Sequence, residues 1–215
     1  MHVSSRMPGH LIRRLHQLST QVFTQHAKEA GFDLTSVHAM VPRLDRLIRA
    51  ARKHRVPVVF VRTVHDPSND SPAWLGRLGG GAGIQRTGAT CRTGTWGADF
   101  FSVTPEPTDL VVTKHRFSAF VGTNLHIALR SLGVRSLLFG GVATEVCVES
   151  SLRDGLFHDY FVTLVQDCAA SYSQQAHDAS VQVIGQHFGL VTTADRLISQ
   201  WETSGADRGL PDVDR

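Results

Sequence analysis

The apolar positions of this chain fall into two alternating rhythms. Four short runs, VPVVFVRT (56–63), DLVVTKH (109–115), RSLLFGG (135–141) and DYFVTLVQD (159–167), are β-branched and nearly continuous. Runs of that kind suit strands covered on both faces. Between them apolar residues recur at helical spacing. Thr123 can cap a helix carrying Leu125, Ala128, Leu129 and Leu132, and Gly133 supplies the glycine with which helices commonly end. Glu145 to His158 reads as a second helix, Gln174 to Phe188 as a third and Ala194 to Trp201 as a fourth. Upstream, Val41, Leu44, Leu47, Ile48 and Ala51 form an apolar stripe opposite Arg43, Arg46, Arg49, Arg52 and Lys53, as in an amphipathic helix. Strands alternating with helices imply parallel βαβ units, and hence a three-layer α/β/α sandwich. Open sheets of this type bind ligands beyond the carboxyl ends of their strands.

Two stretches break the rhythm. Residues 66–99 are rich in Gly, Ser, Thr and Pro without a period, and are expected to pack over one end of the sheet as a binding loop or lid. Residues 203–215, TSGADRGLPDVDR, read as a frayed tail. No internal repeat or composition break divides the rest, so one domain is expected over residues 1–202, with 1–29 atypical of it.

Composition acts mainly by exclusion. A chain of 215 residues, 41% hydrophobic and 19% charged, can fold around an ordinary core without disulfides or a structural metal. The formal charge is +3, and the densest basic run is the helix face described above, with no aromatic residues interleaved for base stacking. It reads as a solvated face, and no nucleic-acid partner is expected. No stretch approaches the ~20 apolar residues of a bilayer span, and MHVSSRMPGHLIRR lacks the apolar region of an export signal, so no membrane association is expected. Cys91, Cys147 and Cys168 form no metal-ligand spacing, and an odd count fits a reducing cytoplasm.

The candidate chemistry lies in FGGVATEVCVESSLRDG, residues 139–155. A buried strand ends at Phe139, a glycine-rich turn through Val142, Ala143 and Thr144 follows, and Cys147 falls in the first turn of the next helix. A thiol there meets the positive end of the helix dipole, which favours the nucleophilic thiolate. The same turn can aim backbone N–H groups at a developing oxyanion. A small buried apolar cysteine is the other reading of the same position. Lys114 ends an apolar strand and is one of only three lysines, with Lys28 and Lys53, among 22 Lys and Arg. A compact cation at a strand end can hold a thiolate, although an exposed strand-end lysine would look the same.

With these blocks in view, GGVATEVCVESSLRDGLFHDYFVTLVQDCAAS and the upstream KHRFSAFVGTNLHIALRSLGV resemble the cysteine-hydrolase branch of the isochorismatase-like superfamily. The resemblance runs from about Ala30 to Trp201. It implies an open, mainly parallel six-stranded sheet and an Asp, Lys, Cys triad in which Cys147 and Lys114 supply two members. It also implies a cis peptide before Ala143, with the N–H groups of Ala143 and Cys147 facing an oxyanion, and an acyl-enzyme route to C–N bond hydrolysis of a small molecule, such as a ureido or carbamoyl acid. Trp96, Phe117 and Phe120 are candidates for lining the substrate site. The family implies a homo-oligomer and, in this branch, neither cofactor nor metal. Nicotinamidases of the same superfamily hold a metal after the second strand, where this chain has His65 and Asp66. No second histidine follows between Pro67 and Asp99, so Asp66-Pro67 reads as a turn.

The third triad member is not where the resemblance puts it. The expected Asp falls on Arg14 or Leu15, in LIRRLHQLSTQVF, whose apolar spacing is helical rather than that of a central strand. No acid occurs between Met1 and Lys28. Asp33, Asp66 and Glu145 lie elsewhere. Arg-Arg-Leu-His can be encoded so that the frame one base later reads Val-Asp-Phe, which would restore the motif in place. Two further outcomes stay open. One is a catalytically inactive scaffold that binds a ligand. The other is hydrolysis of an isochorismate-like vinyl ether, for which a nucleophilic cysteine is dispensable.

Overall fold

The structure is a computed structural model that describes residues 33–77 and 91–206. Its first element is helix α1, Thr35–Lys53, followed by strand β1, Val59–Thr63, a short helix α2, Pro72–Gly76, and strand β2, Leu110–Lys114. Helix α3, Leu125–Ser131, leads to β3, Ser136–Val142. A π-helical turn, Thr144–Val148, then runs directly into α4, Glu149–Phe157. Strand β4, Phe161–Ala170, helix α5, Gln174–Val183, strand β5, Leu190–Thr192, and helix α6, Ala194–Ala206, complete the order.

All the strand pairs are parallel. β1 pairs with β2, and β3–β4–β5 form a second piece. Side-chain alternation shows why these pieces occupy one layer. Val59 and Val61 of β1 share a core with Leu137 and Phe139 of β3, against Leu125 and Leu129 of α3 and Leu152 of α4. The intervening residues, Phe60 of β1 and Leu138 of β3, point to the other face, into a core with Leu44, Leu47 and Ile48 of α1 and Leu197 of α6. Period-two alternation therefore splits each strand between two helical layers, giving the expected three-layer α/β/α architecture. The described residues contain five strands rather than six; the region where the first family strand was expected lies outside them.

The stripe expected around residues 41–51 is the buried face of α1, but the helix begins earlier, at Thr35, and carries Pro42 inside it. Its arginines lie on the wet side, where Arg46 pairs with Asp195, Arg49 with Asp45, and Arg52 with Glu106 and Asp109. The N-cap residue of α3 is Asn124 rather than the expected Thr123, whose hydroxyl nevertheless accepts the Leu125 N–H at 3.2 Å, and Gly133 takes the left-handed conformation after the helix. Helix α6 continues to Ala206, past the expected tail boundary at 203. None of the described helices is long and apolar enough to cross a membrane.

Near the carboxyl edge the β3–β4 register slips. Phe139 faces Leu164, but Gly141 faces Ala169, so two steps along β3 match five along β4. The bulged segment places Asp167 to accept the Ala194 N–H at 2.9 Å, capping α6. It also brings the Cys168 carbonyl so close that a Cβ on Gly140 would lie 2.7 Å from it. Gly140→Ala must push the strands apart and is expected to cost about 1–3 kcal/mol. Urea unfolding would read this as a lower midpoint at unchanged slope, and an unshifted midpoint would contradict the close packing.

Candidate active site

Lys114 is the last residue of β2, and Cys147 lies in the π-helical turn after β3, so both project at the carboxyl edge. The Lys114 side chain is fully buried, which for a lysine demands partners. An ammonium has three N–H donors, and all three are met. Nζ donates to the Arg116 carbonyl at 2.8 Å, the Phe117 carbonyl at 2.7 Å and Cys147 Sγ at 3.3 Å. Two backbone carbonyls and the Cys147 sulfur are thus the acceptors around this buried side chain. The bond also ties the β1–β2 piece of the sheet to the β3–β4–β5 piece.

The turn that carries Cys147 is shaped by its backbone. The Val142–Ala143 peptide is cis, and the Ala143 carbonyl accepts both the Val146 and the Val148 N–H at 3.2 Å, passing over that of Cys147. Thr144 is fully buried, its hydroxyl 2.9 Å from Nδ1 of His177 on α5. One turn further along, buried Ser151 donates to the Cys147 carbonyl at 2.7 Å and accepts the Ala119 N–H at 2.9 Å. These contacts clamp the turn that carries Cys147 to α5 on one side and to the loop after β2 on the other. Sequence reasoning missed both His177 and Ser151. The i,i+4 spacing of Ser151 from Cys147 was the available signal.

Of the other candidates, Phe117 is beside the pair through its carbonyl, and its ring lies 4.8 Å from Trp74. Val142 contributes backbone only, because its side chain is buried in the α1-side core. Trp96 stands half-exposed in a 3₁₀ turn, Trp96–Ala98, on the segment that the His65–Arg92 bridge lays beside the end of β1. Phe120 is a correction. Its ring packs 5.1 Å from His158 and 6.1 Å from Tyr160, residues that precede β4, so it belongs to the core at the amino edge, away from Cys147. Its direction follows from the loop path after β2, which no periodicity reveals.

The other cysteines differ from Cys147. Cys91 and Cys168 are fully buried, and burial, reinforced by Asp167, pushes the Cys168 thiol far above its ordinary range. Burial likewise pushes the Tyr172 hydroxyl up, with Cys147, Cys91 and Glu145 adding to the effect. Glu145 accepts from Ser171 at 2.8 Å through Oε1, while its buried Oε2 has no hydrogen-bond partner among the described residues. Asp66 closes a turn, accepting the Ser68 N–H at 2.9 Å, and His65 Nδ1 is 3.3 Å from the Asn69 side-chain oxygen. Arg14 and Leu15, where the catalytic Asp was expected, lie outside the described residues.

Known proteins give this geometry a family. A family model for the isochorismatase domain matches residues 18–196. The chain is 32% identical over 187 residues to a ureidoacrylate amidohydrolase of Pseudomonas syringae pv. syringae, covering 82% of this chain and 76% of that one. It is 34% identical over 176 residues to the enzyme of the same name from Methylobacterium radiotolerans, covering 76% and 67%. Among solved structures, a cysteine hydrolase from Pseudomonas syringae pv. phaseolicola superposes with a TM-score of 0.80 at 23% identity, over 93% of this chain and 97% of that one. An N-carbamoylsarcosine amidase from Thermoplasma acidophilum superposes with a TM-score of 0.66 at 23% identity, over 86% and 98%. The fold, the sequence match and these relatives agree: the chain belongs to the isochorismatase family of hydrolytic enzymes.

Proposed function

We propose that this protein is a cysteine-dependent hydrolase that cleaves a C–N bond of a small amide, ureido or carbamoyl compound through a thioester on Cys147. The observation that carries this reading is the buried Lys114 ammonium 3.3 Å from the Cys147 sulfur at the carboxyl edge of the sheet. The names of the relatives support the bond class.

In the first half-reaction, Cys147 Sγ attacks the substrate carbonyl carbon and the C=O electron pair moves to oxygen. The developing oxyanion meets the backbone N–H groups of Ala143 and Cys147. Collapse expels the nitrogen, which leaves as ammonia or an amine with the proton given up by the thiol. Water then attacks the thioester and releases the acid and the thiol. Lys114, held by the Arg116 and Phe117 carbonyls against the sulfur, has the role of stabilising charge rather than of accepting the thiol proton. A separate base is needed, and a carboxylate at the position of Arg14 or Leu15 would fill that role.

The test isolates the lysine from the base. Lys114→Met should slow iodoacetamide alkylation of Cys147 on the order of 10- to 1000-fold near neutral pH, because a charge partner of the thiolate is lost. An unchanged alkylation rate would make Lys114 a structural residue.

One observation favours a second reading. The chain has no acid from Met1 to Lys28, so a protein that retains the fold and the thiol as a ligand-binding scaffold is the competing outcome. It predicts rapid alkylation without ammonia release from any ureido acid or amide.

A further inference from the structure

The excursion after β1 and the loop after β2 each bring one arginine, Arg77 and Arg116, towards the Lys114–Cys147 pair. Arg77 follows α2, and its guanidinium carbon lies 3.6 Å from the ring centroid of Trp74 and 5.4 Å from that of Phe117. The Arg116 guanidinium carbon is 5.0 Å from the same Trp74 ring. Arg116 and Phe117 are also the residues whose carbonyls hold the Lys114 ammonium, so this cationic cluster sits one backbone step from the nucleophile's partner.

Both arginines lack an acidic partner among the described residues. Arg77 Nη1 donates to the Trp74 carbonyl, and Arg116 Nη1 to the carbonyls of Asn69 at 3.1 Å and His115 at 2.7 Å. These acceptors are neutral. Asp70, the acid next to Asn69, is taken by Arg92 at 2.6 Å. Arg77 Nε is buried with no hydrogen-bond partner among the described residues. Burial, and then the charge of Arg116, hold the Arg77 guanidinium below its ordinary proton affinity, while Cys147 acts in the opposite direction. Two like charges placed together with a donor unspent make a site that an anion would complete. A guanidinium lying on an aromatic face is already oriented for the two parallel hydrogen bonds that a carboxylate accepts.

We propose that Arg77 and Arg116, braced by Trp74, form an anion-binding subsite that selects substrates carrying a carboxylate beside the scissile C–N bond. The proposal rests on Cys147 being the reacting centre, and it assigns specificity to residues that the catalytic cycle itself does not use. It places the enzyme on small ureido or carbamoyl acids rather than on their neutral amides.

The test uses two alkylating reagents that deliver nearly the same group to the thiol, anionic iodoacetate and neutral iodoacetamide. Their rate ratio at Cys147, divided by the ratio for glutathione, should exceed one. It should fall about 10- to 100-fold in Arg77→Gln combined with Arg116→Gln, the range of a lost charged hydrogen bond. The neutral reagent corrects for altered thiol reactivity or access. A ratio unchanged by the substitutions overturns the subsite while leaving Cys147 as nucleophile. If neither reagent modifies Cys147, the nucleophile assignment fails, and calorimetry on the Cys147→Ser protein still decides the subsite. There, N-carbamoylglycine should bind at least about tenfold tighter than N-carbamoylglycinamide, and the preference should vanish in the arginine variants. Equal affinities would overturn the proposal.

Discussion

Replacing Cys147 by serine should lower C–N hydrolysis by on the order of 10⁴- to 10⁶-fold while leaving the fold intact. Serine nearly matches cysteine in size, and the turn is held through backbone and neighbouring groups, including the Ser151 hydroxyl on the Cys147 carbonyl, none of which involves the sulfur. The chemistry changes more than the shape. A hydroxyl gives up its proton far less readily than a thiol, and Lys114 has no free lone pair with which to take it. Ammonia release from a panel of amides and ureido acids, with circular dichroism as the control for folding, measures the effect. Retained turnover would move the reaction away from nucleophilic thiol chemistry and towards the vinyl-ether type.

The second large effect concerns the base. A positioned base contributes about 10²- to 10⁴-fold, so the chain as given should turn over at that fraction of a version whose residues 13–16 are recoded in the shifted frame to carry Val-Asp-Phe. The family match, residues 18–196, does not include Arg14 or Leu15. Expressing both versions and comparing ammonia release tests the point. Equal and robust activity in both would place the base elsewhere. Glu145, whose buried Oε2 has no hydrogen-bond partner among the described residues, is then the residue to replace with glutamine. Inactivity in both, with normal spectra, would favour the scaffold.

The legible parts of this molecule are those where local chemistry and tertiary role agree. The four apolar runs became strands because burial on both faces leaves a continuous signature, and the Cys147 and Lys114 pair could be inferred because both residues follow such runs. β5 was missed because Leu190–Thr192 is too short to show a period. The expected stripe began at Val41 and so missed the first turns of α1, where Val37 and Met40 continue its buried face, and the helix tolerates Pro42 in its interior although proline there is normally disfavoured. Phe120 was misplaced and Arg77 and Trp74 were overlooked for reasons of one kind. Outside the long regular elements side chains are aimed by the path of the backbone, and neither the loop after β2 nor residues 66–99 carry a spacing from which that path can be read.

The central claim is that Cys147 is the thiol poised to react. Brief iodoacetamide labelling of the folded protein near neutral pH, with modified peptides quantified by mass spectrometry, addresses it directly. Cys147 should be modified first, because its sulfur lies against the Lys114 side-chain nitrogen and it is 6% exposed, whereas Cys91 and Cys168 are fully enclosed. Faster labelling of Cys91 or Cys168 than of Cys147 would contradict the account.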